Sequence, residues 1–255
     1  MTGFLELVGD PLRWALLSAL SGSDHRVGEL TTVTGKGQSL VSYHLGQLRT
    51  AGLVSARRSS ADGRDTYYRA ELGRCRELFG RATAALDPGS QVQHLAPLPR
   101  PGGRKPRVLF LCTGNSARSQ MAQALLERRS EGTIVARSAG SHPKALHPNA
   151  VRVMAERGID ISTRPTKHVS RFARSRFDQV ITLCDKVKEI CPELPGRPTT
   201  AHWSMEDPSA AGADDDATYP AFVRAAEEIE ERIDLLIARL TAPLIDSSTS
   251  EEEHT

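Results

Sequence analysis

Residues 87–107 read DPGSQVQHLAPLPRPGGRKPR, with five prolines and three glycines and neither a helical nor a strand period. Proline removes a backbone donor and glycine loosens the chain, so no regular element is expected to cross this stretch. The 255 residues should therefore divide into two bodies joined by a semi-stiff, partly extended linker over 87–106. The flanking segments, 1–86 and 107–242, are each long enough for a domain. The end, PLIDSSTSEEEHT, is polar and acidic, and 243–255 is expected to be a disordered tail. A linker of this kind transmits little between two domains unless they also pack together.

Charge divides at the same place. Residues 1–86 carry 11 Lys and Arg against 8 Asp and Glu, whereas 107–255 carry 19 against 22. A nucleic-acid role therefore falls on the N-terminal half. No run of 18 apolar residues suggests a membrane span. The N-terminus MTGFLELVGDPLRW lacks a secretory pattern, so a cytoplasmic location is expected. In that compartment the four cysteines point to reactive or ordinary thiols rather than a structural disulfide set.

In the N-terminal half, PLRWALLSALSGS places Pro11 at a helix start with apolar residues on a helical period. VGELTTVTG follows as a short helix, and GKGQSLVSYHLGQLRTAGLV contains another. On that helix Leu40, Val41, Leu45 and Leu48 are expected to share one face, with Gln38, Ser39, Ser42 and Tyr43 on the other. The second group is polar and uncharged, which suits the reading of base edges. LVSARRSSADGRDTYYRA then gives two strand-like runs around a turn, a hairpin expected to expose Arg57, Arg58 and Arg64 to phosphates. This order of elements is that of a winged helix-turn-helix, mostly α with a β-hairpin wing.

The run QSLVSYHLGQLRTAGLVSARR…GRDTYYRA resembles the ArsR/SmtB family of metal- and metalloid-responsive repressors, over roughly residues 3–86. The resemblance implies a homodimer through this domain, binding double-stranded operator DNA and releasing it on inducer binding. Family members that sense arsenite use two or three cysteines in the domain, whereas this one has only Cys75, which reads as an ordinary helical cysteine. His25, His44 and His94 show no metal-ligand spacing, so no metal site is expected.

The C-terminal half opens on RVLFL, a buried-strand pattern, followed by CTGNSARS and then SQMAQALLERR, a helical one. Cys112 thus sits at a strand-to-helix turn with Arg118 six residues on. Loop amides opening a helix cradle a tetrahedral oxyanion, and the same field favours a thiolate. Cys184 ends a second strand run, QVITLC, and is expected at the same sheet edge, where open α/β sheets place their sites. Cys191 follows in a proline-containing segment. The three thiols suggest a relay of disulfide exchange. Asp207 lies in HWSMEDPS after a strand-like AHWSM, where a carboxylic acid can protonate a leaving oxygen.

Together these parts resemble the low-molecular-weight protein tyrosine phosphatase fold, an α/β domain with a four-stranded parallel sheet, and within it the thioredoxin-coupled arsenate reductases. The resemblance implies Cys112 as nucleophile and Arg118 as oxyanion clamp. It implies an oxyanion-binding loop of Thr113, Gly114, Asn115, Ser116, Ala117 and Ser119, with Asp207 as general acid and Cys184 and Cys191 as the redox pair. Arsenate is then the substrate and thioredoxin or another thiol the reductant; no cofactor is implied. Ser209 follows Pro208 where phosphatases usually carry an aromatic, and both further thiols are present, which favours the reductase. Ala117 stands where many relatives have another cysteine. Gln123 and Lys167 stand near where some reductases hold potassium with acids, so no cation site is expected. Two other readings remain: a regulator whose C-terminal domain only senses oxyanion or redox state, and a phosphatase fused to a DNA-binding domain.

Overall fold

The computed structural model describes residues 2–61, 63–87, 104–190 and 194–241. Most of the linker, the acidic tail, Cys191 and His94 lie outside the described residues.

The N-terminal region runs α1 (Thr2–Val8), α2 (Pro11–Leu20), β1 (His25–Arg26), α3 (Val27–Thr34), α4 (Gln38–Thr50), β2 (Val54–Arg58), β3 (Thr66–Ala70) and α5 (Leu72–Leu86). Asp10 caps α2, its carboxylate accepting from the amides of Leu12 at 3.0 Å and Arg13 at 2.9 Å, with Pro11 at the first helical position. Leu16, Leu20, Leu30, Val41, Leu45, Leu48 and Leu53 form one buried cluster. Each such side chain removed from water contributes about 1.5–3 kcal/mol. The stripe on α4 is Val41, His44, Leu45 and Leu48. Leu40 is exposed instead, because one residue before Val41 the helix has turned about 100° towards the open side. Gln38, Ser39, Ser42 and Tyr43 are exposed as expected. The hairpin forms as β2 and β3, antiparallel from Val54↔Ala70 to Arg58↔Thr66, and β1 adds a third strand beside β3 that the sequence did not suggest.

The C-terminal domain runs β4 (Arg107–Cys112), α6 (Arg118–Arg129), β5 (Val135–Gly140), α7 (Pro148–Ala155), β6 (Gln179–Thr182), α8 (Asp185–Ile190), β7 (Thr199–His202) and α9 (Asp215–Thr241). Its sheet is parallel throughout, in the order β5-β4-β6-β7. Central β4 is buried from Val108 to Cys112, which explains its unbroken apolar run. Phe222, Ile229 and Ile233 of α9 join the same core. The strand-like AHWSM is only half strand: β7 stops at His202, the Trp203 amide makes a last bond to the Thr182 carbonyl of β6 at 2.8 Å, and the chain continues buried to Met205. No helix among the described residues is long and apolar enough to cross a membrane.

The two bodies pack directly against each other. The buried Asp24, between α2 and β1, meets Arg232 of α9 through two contacts, 2.9 and 3.1 Å, and accepts from the Ser204 amide at 2.6 Å. The Asp24 amide donates to the His202 carbonyl at 2.6 Å. Arg69 of β3 pairs with Glu228 of α9 at 2.7 Å. Arg57 also belongs to this interface. It is half-buried against Asp185 rather than exposed at the wing. Neighbouring strand residues point to opposite sheet faces, so Arg57 turns into the interface while Arg58 stays on the open side. Arg58 and Arg64 remain exposed.

Candidate active site

Cys112 ends β4 and Arg118 begins α6, so residues 113–117 form a turn at the C-terminal edge of the sheet. The turn is held by non-local contacts. The carbonyls of Thr113, Gly114 and Ser116 accept from the amides of His142, Lys144 and His147, each at 2.9 Å. Carbonyls drawn outward leave the loop's amide side facing the Cys112 end. Asn115 takes the left-handed conformation, φ 48°, and its amide donates to Cys112 Sγ at 3.2 Å.

The Asn115 side chain fixes the direction of a further hydrogen-bond chain. Its Oδ1 accepts from the Lys167 amide at 2.8 Å, which orients the carboxamide. Its Nδ2 then donates to Ser119 Oγ at 2.9 Å and to Ser138 Oγ at 3.0 Å. With its oxygen occupied as acceptor, the Ser119 hydroxyl can donate to Cys112 Sγ, 3.0 Å away. The Ser138 hydroxyl donates onward to Gln123 Oε1 at 2.7 Å. Two donors thus reach the sulfur, an arrangement that stabilises negative charge there. Nothing in the sequence pattern marked Ser138 or Gln123 for this role, because their link to the loop is made only by the folded sheet.

Gly140, at the end of β5, is a third residue the motif did not reveal. A Cβ there would meet the Thr113 carbonyl oxygen at 2.5 Å and the Asn115 nitrogen at 2.8 Å. Both contacts are backbone and cannot swing away, so only glycine lets the loop pass over this strand end.

Arg118 is buried, with Nη1 donating to the Met205 carbonyl at 2.9 Å and Nη2 3.3 Å from Asp207 Oδ2. Asp207 is 52% exposed and borders a cleft of about 560 Å³ shared by the two bodies. Partial burial pushes its carboxyl up, but the Arg118 guanidinium and the Ser209 hydroxyl and amide outweigh this and hold it below its usual value. Cys184 is buried, its Sγ 3.3 Å from Thr113 Oγ1, which brings a second thiol against the Cys112 loop. Next to it Asp185 is fully buried. Burial opposes its charge, but His202, Ser60, Ser204 and Arg57 more than offset this and hold the carboxyl far below the usual range. Lys167 uses its ammonium on the Pro165 carbonyl at 3.0 Å.

The family model for low molecular weight phosphotyrosine protein phosphatase matches residues 107–244. The chain belongs to that family. The model for bacterial regulatory proteins of the arsR family matches residues 10–56, so an arsR-family helix-turn-helix region precedes the phosphatase-family domain. Among similar proteins, arsenate reductase from Halalkalibacterium halodurans is 36% identical over 126 residues, covering 49% of this chain and 91% of that protein. Arsenate reductase from Bacillus licheniformis is 38% identical over 129 residues, covering 51% and 93%. A solved structure described as an arsenate reductase in the oxidized state is 31% identical, covering 54% of this chain and 99% of the other, with a TM-score of 0.47.

Proposed function

We propose that this phosphatase-family domain is an arsenate reductase, joined to a DNA-binding repressor of arsenic resistance. The observation that carries the reading is the second buried thiol: Cys184 lies against the oxyanion loop, 3.3 Å from Thr113 Oγ1. A phosphatase needs one nucleophile and water, whereas reduction needs a second thiol to take the first sulfur. Ser209, folded back onto the Asp207 carboxylate, also supplies no ring to stack on a phosphotyrosine.

Arsenate sits in the loop of Thr113, Gly114, Asn115, Ser116, Ala117 and Ser119, clamped by Arg118. Cys112 thiolate attacks arsenic, and Asp207 protonates the departing hydroxide, which leaves as water. The carboxyl is held below its usual value by Arg118; a bound oxyanion takes that guanidinium and adds like charge, both of which favour the protonated acid. Cys184 thiolate then attacks Cys112 sulfur. The new S–S bond forms as the S–As bond breaks, its electron pair stays on arsenic, and arsenic(V) leaves as arsenite. Cys191 thiolate attacks Cys184 sulfur and frees Cys112 thiolate. Thioredoxin, or another thiol reductant, returns two electrons to the Cys184–Cys191 disulfide. The deciding experiment is arsenite release from arsenate with a thioredoxin system. Cys184→Ser is expected to bind phosphate normally yet release no arsenite above background. Release equal to wild type overturns the relay.

The helix-turn-helix region reads operator DNA through Gln38, Ser39, Ser42 and Tyr43 of α4, with Arg58 and Arg64 on the backbone. It acts as a homodimer. Support for a second copy comes from an exposed apolar strip on α1, α2 and α5, namely Leu5, Trp14, Phe79 and Leu86. Phe79 already meets Phe4 and Trp14 edge-to-face, at 5.0 and 6.0 Å between centroids. Such a patch marks an interaction surface. In gel retardation the full chain is expected to prefer the DNA upstream of its own gene, with affinity falling steeply as salt rises. Ser42→Ala with Tyr43→Ala should erase the preference, whereas Arg58→Ala should weaken all sequences alike. A wild-type chain with no preference at moderate salt overturns the repressor reading.

A further inference from the structure

The short helix α8 begins immediately after Cys184 and is tied to the N-terminal region at two points. Lys188 reaches Glu29 of α3 at 2.6 Å and lies 4.6 Å from the Tyr67 ring centroid. The Asp185 carboxylate is more heavily engaged. Arg57 Nη2 donates to its oxygens at 2.8 and 3.0 Å, the Ser60 amide at 2.6 Å and the Ser60 hydroxyl at 2.9 Å. From its own domain it receives His202 Nε2 at 3.0 Å and Ser204 Oγ at 2.7 Å. Arg57 donates to that same Ser204 hydroxyl. The wing hairpin therefore supplies three of the five donor groups on a fully buried carboxylate, including the permanent positive charge among them. A buried carboxylate stripped of that charge is strongly disfavoured, so the first turn of α8 is held where Arg57 holds it.

Disulfide exchange at Cys184 needs an incoming thiolate to reach its sulfur, and Cys184 is buried beside the residue that Arg57 pins. Arg57 is also a wing arginine, and a guanidinium committed to Asp185 cannot neutralise a phosphate.

We propose that Arg57 is a positioning residue for the Cys184 segment whose bond to Asp185 excludes a wing contact to DNA phosphate, so that DNA occupancy and exchange at Cys184 are coupled. The inference rests on the DNA-binding and thiol-relay readings above. DNA that draws Arg57 away loosens α8 and bares Cys184; by reciprocity, whatever loosens α8 tightens DNA binding.

The test is the alkylation rate of Cys184 by iodoacetamide in the reduced full chain, read by peptide mass mapping that separates it from Cys75, Cys112 and Cys191. Mixed-sequence duplex DNA at low salt is the probe, since phosphate contacts do not depend on sequence. In wild type, DNA is expected to raise the Cys184 rate about fivefold or more. Arg57→Ala should show the raised rate without DNA and no further response to it, and Arg57→Lys should fall between. An unchanged or slower Cys184 rate in a chain whose DNA is retarded in a gel overturns the coupling alone. Failure to retard DNA at any salt overturns the DNA-binding reading, and the coupling with it. Should Arg57→Ala fail to fold, the wild-type comparison decides by itself.

Discussion

Cys112→Ser is expected to lower arsenate turnover by a factor on the order of 10⁴ or more, to background. Two separate losses combine. A hydroxyl is far less ionised than a thiol at neutral pH, so attack on arsenic is slow even with the Asn115 amide and Ser119 hydroxyl in place. An oxygen at position 112 also cannot enter a disulfide, so any adduct that forms has no route for two electrons to reach arsenic. Phosphate binding should survive, because the loop is fixed by the amides of His142, Lys144 and His147 rather than by the sulfur. Cys191→Ser separates the steps: it should release about one arsenite per chain and then hold a Cys112–Cys184 bond, visible by mass spectrometry. Steady multiple turnover of Cys191→Ser with thioredoxin as sole reductant is the result that removes Cys191 from the relay.

The readable parts of this site were those whose determinants are close in sequence. A strand, a Gly-Asn turn and a helix lie within residues 107–129, so the position of Cys112 and Arg118 followed from local patterns. Cys184 could be placed at the same edge because parallel strands end together. The requirement for glycine at 140 was not readable. It arises where the loop crosses the neighbouring strand, and no local rule holds that crossing. Arg57 shows the same limit with an opposite outcome. Its side chain, in a basic hairpin, matched a phosphate contact by composition, yet it pairs with a carboxylate 128 residues away. The buried pairs of the interface join residues whose separation carries no periodic signal, whereas the Pro-rich stretch between them pointed to independent bodies.

Asp24→Ala is expected to undo that packing, with a cost of about 3–5 kcal/mol. Asp24 is 1% exposed and makes four hydrogen bonds across the interface: two from the Arg232 guanidinium, one from the Ser204 amide, and one from its own amide to the His202 carbonyl. Alanine keeps only the last. Arg232 is left nearly buried, with Glu228 at 3.2 Å as its remaining carboxylate, and the Ser204 amide loses its acceptor. Removing one partner of a buried pair costs more than removing both, since it strands the other charge. Asp24→Ala with Arg232→Met should therefore recover part of the loss. Each body has its own apolar cluster, one built on Leu16, Leu45 and Leu48 and one on Phe110, Ile181 and Ile229. Neither core contains Asp24, so the substitution strikes the contact between them rather than either interior. Unfolding in urea should then separate into two transitions where the wild-type chain is expected to show one, because cooperativity between the bodies runs through this interface. The Ser204 amide also positions the hydroxyl that bonds Asp185, so the change should bare Cys184 to alkylation as well. A single transition at an unchanged midpoint would show that the Asp24–Arg232 pair does not hold the two bodies together.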